Sequence, residues 1–143
     1  MRTRTQLYDS LLKYQVDLSF GTEIAILKHS KWNDASMVLD YGCGNAYFSY
    51  CLSQKYPNKT FYCCDRDEDI LKVGQYTERM NLICGEFPTV KIPNNIDFFI
   101  IRHLTSYLSD RKSFFSWIKE HAAQNASILL IDAYDENLSL IHI

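Results

Sequence analysis

Five short apolar runs punctuate this chain: MVLD (37–40), TFYCCD (60–65), NLICGEF (81–87), IDFFIIR (96–102) and SILLID (127–132). None shows the strict apolar–polar alternation of a half-solvated strand. Such runs belong to strands covered on both faces, the environment of a parallel sheet. Parallel neighbours cannot be joined by a tight hairpin, so the chain between them must cross over, usually as a helix. Most of the segments between the runs have helical periodicity. The pattern therefore predicts an α/β fold with a doubly wound, mostly parallel sheet. A length of 143 residues with 47% hydrophobic composition suits one such domain with a sizeable core.

The connecting segments can be read individually. Leu7, Leu11, Tyr14 and Leu18 recur at helical spacing and predict an amphipathic helix from about Thr5 to Ser19. Gly21 is expected to break it. Thr22 then caps a shorter helix carrying Ile24 and Leu27, with Lys28, His29 and Lys31 at its cation-favouring C-terminal end. AYFSYCLSQKY predicts a helix with Phe48, Cys51, Leu52 and Lys55 on one side. DEDILKVGQYT predicts another, capped by Asp67, with Glu68 and Asp69 in the first turn. PTVKIPNN contains two prolines and carries no full helix. Ser109 or Asp110 starts a last helix through RKSFFSWIKEHA, with Phe114, Phe115 and Ile118 facing inward. Residues 1–36 thus form an N-terminal helical cap, and residues 37–137 form the sheet core.

Composition removes several classes of function. The net charge is −2, the sequence pI is about 6.0 and no basic run occurs, so no nucleic-acid partner is expected. No apolar stretch reaches the length of a membrane span, and the polar N-terminus is not a secretory signal. The five cysteines, Cys43, Cys51, Cys63, Cys64 and Cys84, are odd in number and contain no CxxC pair. They read as small buried thiols in a reducing cytoplasm, with no metal site among them.

The candidate site lies in VLDYGCGNAYFSY (38–50), where an apolar strand runs into a carboxylate and two closely spaced glycines. In a doubly wound sheet, ligands bind at the carboxyl ends of the strands. The polar residues there are Asp40, Gly42 and Gly44, then Asp65, Glu86, Arg102 with His103, and Asp132. A dinucleotide site needs a third glycine, but Tyr47 holds that position, and Asp40 would repel a pyrophosphate. A cationic adenosyl ligand meets neither objection. S-adenosylmethionine has an ammonium, a sulfonium and no phosphate. Asp40 can face the ammonium, and the glycines let the backbone approach closely. Asp65 can accept from both ribose hydroxyls, Glu86 can recognise the adenine amine, and Phe87 can pack near the ring. His103 is a candidate general base, or else a packed histidine, with Tyr107 as a second candidate. Tyr14, on the N-terminal helix, is a candidate for closing over the cofactor.

VLDYGCGNAYFS, FYCCDRDEDIL, LICGEF, IDFFIIRHLTSYLSD and SILLIDAY together resemble the successive motifs of class I S-adenosylmethionine-dependent methyltransferases, over residues 37–134. That resemblance implies a seven-stranded sheet of order 3-2-1-4-5-7-6 with the last strand antiparallel. It implies that Asp40, Gly42 and Gly44 line the methionine and ribose side, and that Asp65 holds the ribose. Glu86 then lies near adenine, with Arg102 and His103 beside the methionine and methyl group. Three departures stand out. Arg66 replaces the apolar residue that usually packs on adenine, and it either stacks by its guanidinium plane or points to solvent. QNA (124–126) replaces the usual Pro-Gly-Gly turn. No [DN]PP[YF] tetrapeptide follows the fourth run, which argues against enzymes that methylate DNA adenine or protein glutamine.

The expected activity is in-line methyl transfer to a small-molecule acceptor. The rivals are a non-catalytic S-adenosylmethionine-binding or regulatory module and a nicotinamide-dependent oxidoreductase. The last six residues, LSLIHI (138–143), match one reading frame of a transposon end used in sequencing libraries. They are expected to be an adapter artefact, with the natural frame continuing beyond Asn137 and the last two strands of the sheet lacking here.

Overall fold

The structure is a computed structural model that describes residues 1–132. The boundary at residue 137 and the adapter reading of Leu138 to Ile143 lie outside the described residues. Five strands form one sheet: β1 (Met37–Tyr41), β2 (Thr60–Asp65), β3 (Met80–Cys84), β4 (Ile96–Arg102) and β5 (Ala122–Ile131). Their order is β3-β2-β1-β4-β5, and every pairing is parallel. The chain winds outward from β1 through β2 to β3, then returns to the other side of β1 for β4 and β5. Strand order therefore reverses between β1 and β4, and a crevice opens at their carboxyl ends.

The apolar runs of the central strands β1, β2 and β4 are covered on both faces, whereas the edge strands β3 and β5 expose Leu82, Cys84, Ile128 and Leu130, which corrects the expectation for those two runs. Val38, Phe61, Phe98, Ile100 and Leu129 pack beneath Trp32, Phe48 and Leu52 on one side. Leu39, Phe99 and Ile101 pack beneath Phe114, Trp117 and Ile118 on the other. Phe48 and Leu52 lie on α2 (Tyr47–Lys55), and Phe114, Trp117 and Ile118 lie on α4 (Arg111–His121). Of Phe48, Cys51, Leu52 and Lys55, expected on one side of α2, only Phe48 and Leu52 are buried, and Ser49 and Ser53 complete the buried face. Asp110 caps α4 by accepting from the Ser113 amide at 3.0 Å. Asp67 likewise caps α3 (Glu68–Lys72), which ends well short of the expected DEDILKVGQYT span. Gly74 follows the last turn, and its lack of a side chain accommodates the Tyr76 hydroxyl and the Asn45 carbonyl against it.

The N-terminal segment corrects the two-helix expectation. It is a single helix, α1 (Arg4–Leu27), passing straight through Gly21. A mid-helix glycine costs only about 1 kcal/mol. Burial of the apolar Val16, Ile24 and Leu27 along the C-terminal half outweighs that cost. Thr3 and Gln6 close a reciprocal capping box at its start. The inward face is also not the one that periodicity suggested. Leu7, Leu11, Tyr14 and Leu18 are all exposed.

Two further expectations need adjustment. QNA (124–126) is no connecting turn before β5. It is a bulge within it, between the Ile96–Ala122 and Phe98–Ser127 pairings, with Asn125 at a φ of 64°. Of the five cysteines only Cys63 and Cys64 are buried, while Cys84 is exposed because β3 is an edge strand. Among the described residues no helix is long and apolar enough to cross a membrane.

Candidate functional site

The site grows from the turn that leaves β1. Gly42 and Gly44 adopt φ values of 73° and 59°, which residues with side chains rarely adopt. That conformation folds the turn back on β2. The amides of Gly42 and Cys43 both donate to the Cys64 carbonyl, at 2.8 and 3.0 Å. The Gly44 amide donates to Asp65 Oδ2 at 2.7 Å. Asp65 Oδ1 accepts from the Asp67 amide at 2.9 Å, so this carboxylate is held rigidly at the end of β2. A Cβ on Gly44 would lie 2.9 Å from Leu12 Cδ1 of α1, which shows how closely that helix crosses the turn. Asn45 fastens the crossing, since its Nδ2 donates to Asp9 Oδ1 at 2.8 Å.

Asp40 points toward the α2 side of the sheet and is only 2% exposed. Ser49 Oγ, one turn into α2, donates to its Oδ2 at 2.7 Å. Burial pushes its carboxyl up to about 6, against the opposing pull of the Ser49 hydrogen bond and the Arg102 charge. A carboxylate this poorly solvated favours a cationic partner.

Arg102, at the end of β4, stands beside the same turn. Its guanidinium lies over the Phe48 ring, 4.3 Å from the centroid. Its Nε and Nη2 donate to Glu23 Oε1 of α1 at 3.3 and 3.0 Å. The outer rim is more open. Arg66 and Glu86 form an exposed ion pair at 3.5 Å, so the arginine's charge is directed to Glu86. The Phe87 amide donates to Tyr41 Oη at 2.7 Å. Its ring packs edge-on against Phe114 and Trp117, each with centroids 5.6 Å away.

These groups line one cavity of about 720 Å³, within the usual size range of small-molecule sites. Asp40, Gly42, Gly44, Asp65, Arg66, Glu86, Phe87, Arg102 and His103 all border it. Its opposite wall is apolar, built by Tyr8, Leu11 and Leu12 of α1 with Leu104, Tyr107 and Leu108 after β4. His103 has an exposed side chain and a φ of 54°, and its amide donates to the Ile131 carbonyl at 2.6 Å. Asp132, expected among the converging acids, is instead engaged in accepting from the Leu104 and Thr105 amides at 3.1 and 3.3 Å.

Tyr14 is the candidate that the structure leaves outside the cavity; it is 62% exposed. Residues in a helix advance about 100° each. Tyr8, Leu11, Leu12 and Gln15 therefore share the stripe that borders the cavity, flanking the buried face, and Tyr14 falls outside it. Tyr8, and not Tyr14, is the tyrosine of α1 that borders the cavity. Sequence reading also passed over Glu23, Asn45 and Ser49. Asn45 and Ser49 follow Gly44 by one and five residues, a nearness that could have been used. Glu23 had none, because its partner lies 79 residues away.

The methyltransferase domain profile matches residues 39–130. No curated protein matches the sequence. Among solved structures, the plantazolicin methyltransferase BpumL in complex with a monoazolic desmethylPZN analogue and SAH superposes with a TM-score of 0.77 at 12% identity, over 96% of this chain and 56% of that one. A chain from the complex between the Haloferax volcanii Trm112 methyltransferase activator and its methyltransferase gives 0.76 at 15% identity, over 100% and 68%. Coclaurine N-methyltransferase bound to N-methylheliamine and SAH gives 0.67 at 16% identity, over 78% and 35%. The chain spans between 35% and 68% of the lengths of these three proteins.

Proposed function

This chain belongs to the methyltransferase domain family, and from that premise we propose that it binds S-adenosylmethionine and passes the methyl group to a small-molecule acceptor. One observation carries the reading. Two rigidly held carboxylates, Asp40 and Asp65, border a single cavity around a bare glycine turn, and the two arginines that border it, Arg66 and Arg102, are already paired with Glu86 and Glu23. That floor suits a cationic adenosyl compound and disfavours a pyrophosphate, which weighs against a nicotinamide dinucleotide.

The residues present fit such a group. Asp40 would take its ammonium, Asp65 its ribose hydroxyls, and Glu86 with Phe87 its adenine end. The group supplies a methyl on a sulfonium, which is an excellent leaving group. The chain's contribution is to orient the reactants, a proximity effect. The apolar wall of Tyr8, Leu11, Leu12, Leu104 and Leu108 would exclude water and hold an apolar or aromatic acceptor. His103 and Tyr107, both exposed on the cavity rim, would take up a proton where the acceptor loses one. The family and the two similar methyltransferases that hold SAH support this reading.

Calorimetry with S-adenosylmethionine, S-adenosylhomocysteine and NAD tests it. Binding of the first two and not the third is the expected result; NAD alone binding would overturn the proposal. Methyl release to a panel of amines, phenols and acidic carbons then separates an enzyme from a module that only binds the donor.

A further inference from the structure

Glu23 is an unusual residue to find where it is. It lies on α1, is 3% exposed, and faces the sheet. Its Oε1 accepts three hydrogen bonds, from Ser19 Oγ at 2.9 Å and from Arg102 Nη2 and Nε at 3.0 and 3.3 Å. Its Oε2 is buried with no hydrogen-bond partner. A buried carboxylate with an unmet oxygen is costly, and an apolar residue would pack there more cheaply. Its position is explained by what it does to Arg102.

The guanidinium is fixed on two sides. Phe48 covers a face at 4.3 Å, and Glu23 takes the Nε edge. Arginine has five N–H donors in a rigid fork. With the Nε edge occupied, Nη1 and the second hydrogen of Nη2 remain, on a side chain that borders the cavity and is 12% exposed. Asp40 borders the same cavity from β1, on the same face of the sheet, near enough for the Arg102 charge to lower its carboxyl against the effect of burial. An anion acceptor and a cation acceptor thus stand side by side, which is the arrangement that recognises an α-amino acid zwitterion. Charge points the same way. Glu23, Arg102 and Asp40 together leave one unbalanced negative charge, and the donor's ammonium, carboxylate and sulfonium together leave one positive charge.

Building on the donor reading above, we infer that Glu23 is a positioning residue: it aims the free donors of Arg102 at the α-carboxylate of the bound adenosyl amino acid while Asp40 receives the ammonium. Glu23 touches no ligand itself. Through it α1 reports to the inner end of the site, and the helix that walls the cavity is keyed to the amino-acid half of the ligand.

The test compares S-adenosylhomocysteine with 5′-methylthioadenosine, which keeps the nucleoside and lacks the amino-acid portion. Calorimetry on the full chain should show Glu23→Gln weakening the first at least tenfold and the second less than twofold. Arg102→Lys should do the same. The double variant should be little worse than either, since both break one device. Retained methylthioadenosine binding reports an intact fold. Equal loss for both ligands would overturn the inference by showing a merely structural role, as would unchanged affinity for S-adenosylhomocysteine. If the unaltered chain binds neither ligand, the donor reading itself falls and takes this inference with it.

Discussion

Asp40→Asn should stabilise the unliganded chain at pH 8 while removing its affinity for S-adenosylhomocysteine. The carboxyl is raised from 3.8 to about 6 in the folded protein, with burial as the main cause. The folded state therefore holds this proton more tightly than the unfolded one. Between 3.8 and about 6 it binds more protons, so stability falls as pH rises through that window and stays low above it. Each pH unit between the two values is worth about 1.4 kcal/mol, so the ionised carboxylate costs about 3 kcal/mol. Asparagine has the same shape and keeps an oxygen for the Ser49 hydroxyl, but carries no charge to desolvate. At this chain length the gain should raise Tm by on the order of 10 °C at pH 8. Well below 3.8 the aspartate is neutral in both the folded and the unfolded state, and the difference should vanish. Denaturant melts from below about pH 3 to pH 8 measure it, with calorimetry for the ligand. In the unaltered protein, affinity for S-adenosylhomocysteine should rise with pH through about 6, because the ammonium needs the ionised form. An asparagine variant destabilised equally at both ends of the pH range would refute the reasoning, since the charge would then be offset within the free protein.

Three other substitutions probe separate parts of the structure. Ser49→Ala removes the hydrogen bond that opposes the rise of Asp40, so the pH midpoint of ligand binding should move upward, as read by calorimetry in a pH series. Gly44→Ala imposes a side chain at a φ of 59° and should cost about 1–2 kcal/mol in a urea melt, with ligand affinity reduced as the Asp65 contact loosens. Lys59→Met leaves the Trp32 and Ala35 carbonyls without their buried ammonium donor and strips the cation from over the indole ring. It should cost about 2–3 kcal/mol and alter Trp32 fluorescence, whereas a loss below about 0.5 kcal/mol would show the lysine dispensable.

The order of elements was legible because its signals are local. Apolar runs without alternation mark strands covered on both faces, and β1, β2 and β4 fall where MVLD, TFYCCD and IDFFIIR place them. The acids and glycines that follow those runs were equally legible, because a parallel sheet delivers every strand's carboxyl end to one edge, and Asp40, Gly42, Gly44, Asp65 and Glu86 do border one cavity. Lengths were read less well where the decision lay in packing. The helix predicted to stop before Gly21 runs on because its next turns bury Ile24 and Leu27.

The facing of α1 was decided by tertiary structure alone. Periodicity names stripes of a helix, but Leu7, Leu11, Tyr14 and Leu18 compose as good a stripe as Val16, Ile24 and Leu27, which are the ones that pack on the core. What selects between them is the shape of the surface beneath, including the glycine turn that Leu12 overhangs. The same holds for charge. A sequence states that a residue is acidic; it cannot state how much water that residue will lose. Asp40 becomes reluctant to ionise because α2 and the sheet close over it, and Glu23 becomes a partner of Arg102 because folding spans 79 residues of chain. Local pattern set the positions of the acids along the chain, whereas desolvation and long-range pairing, which exist only once the layers have packed, set what those acids do.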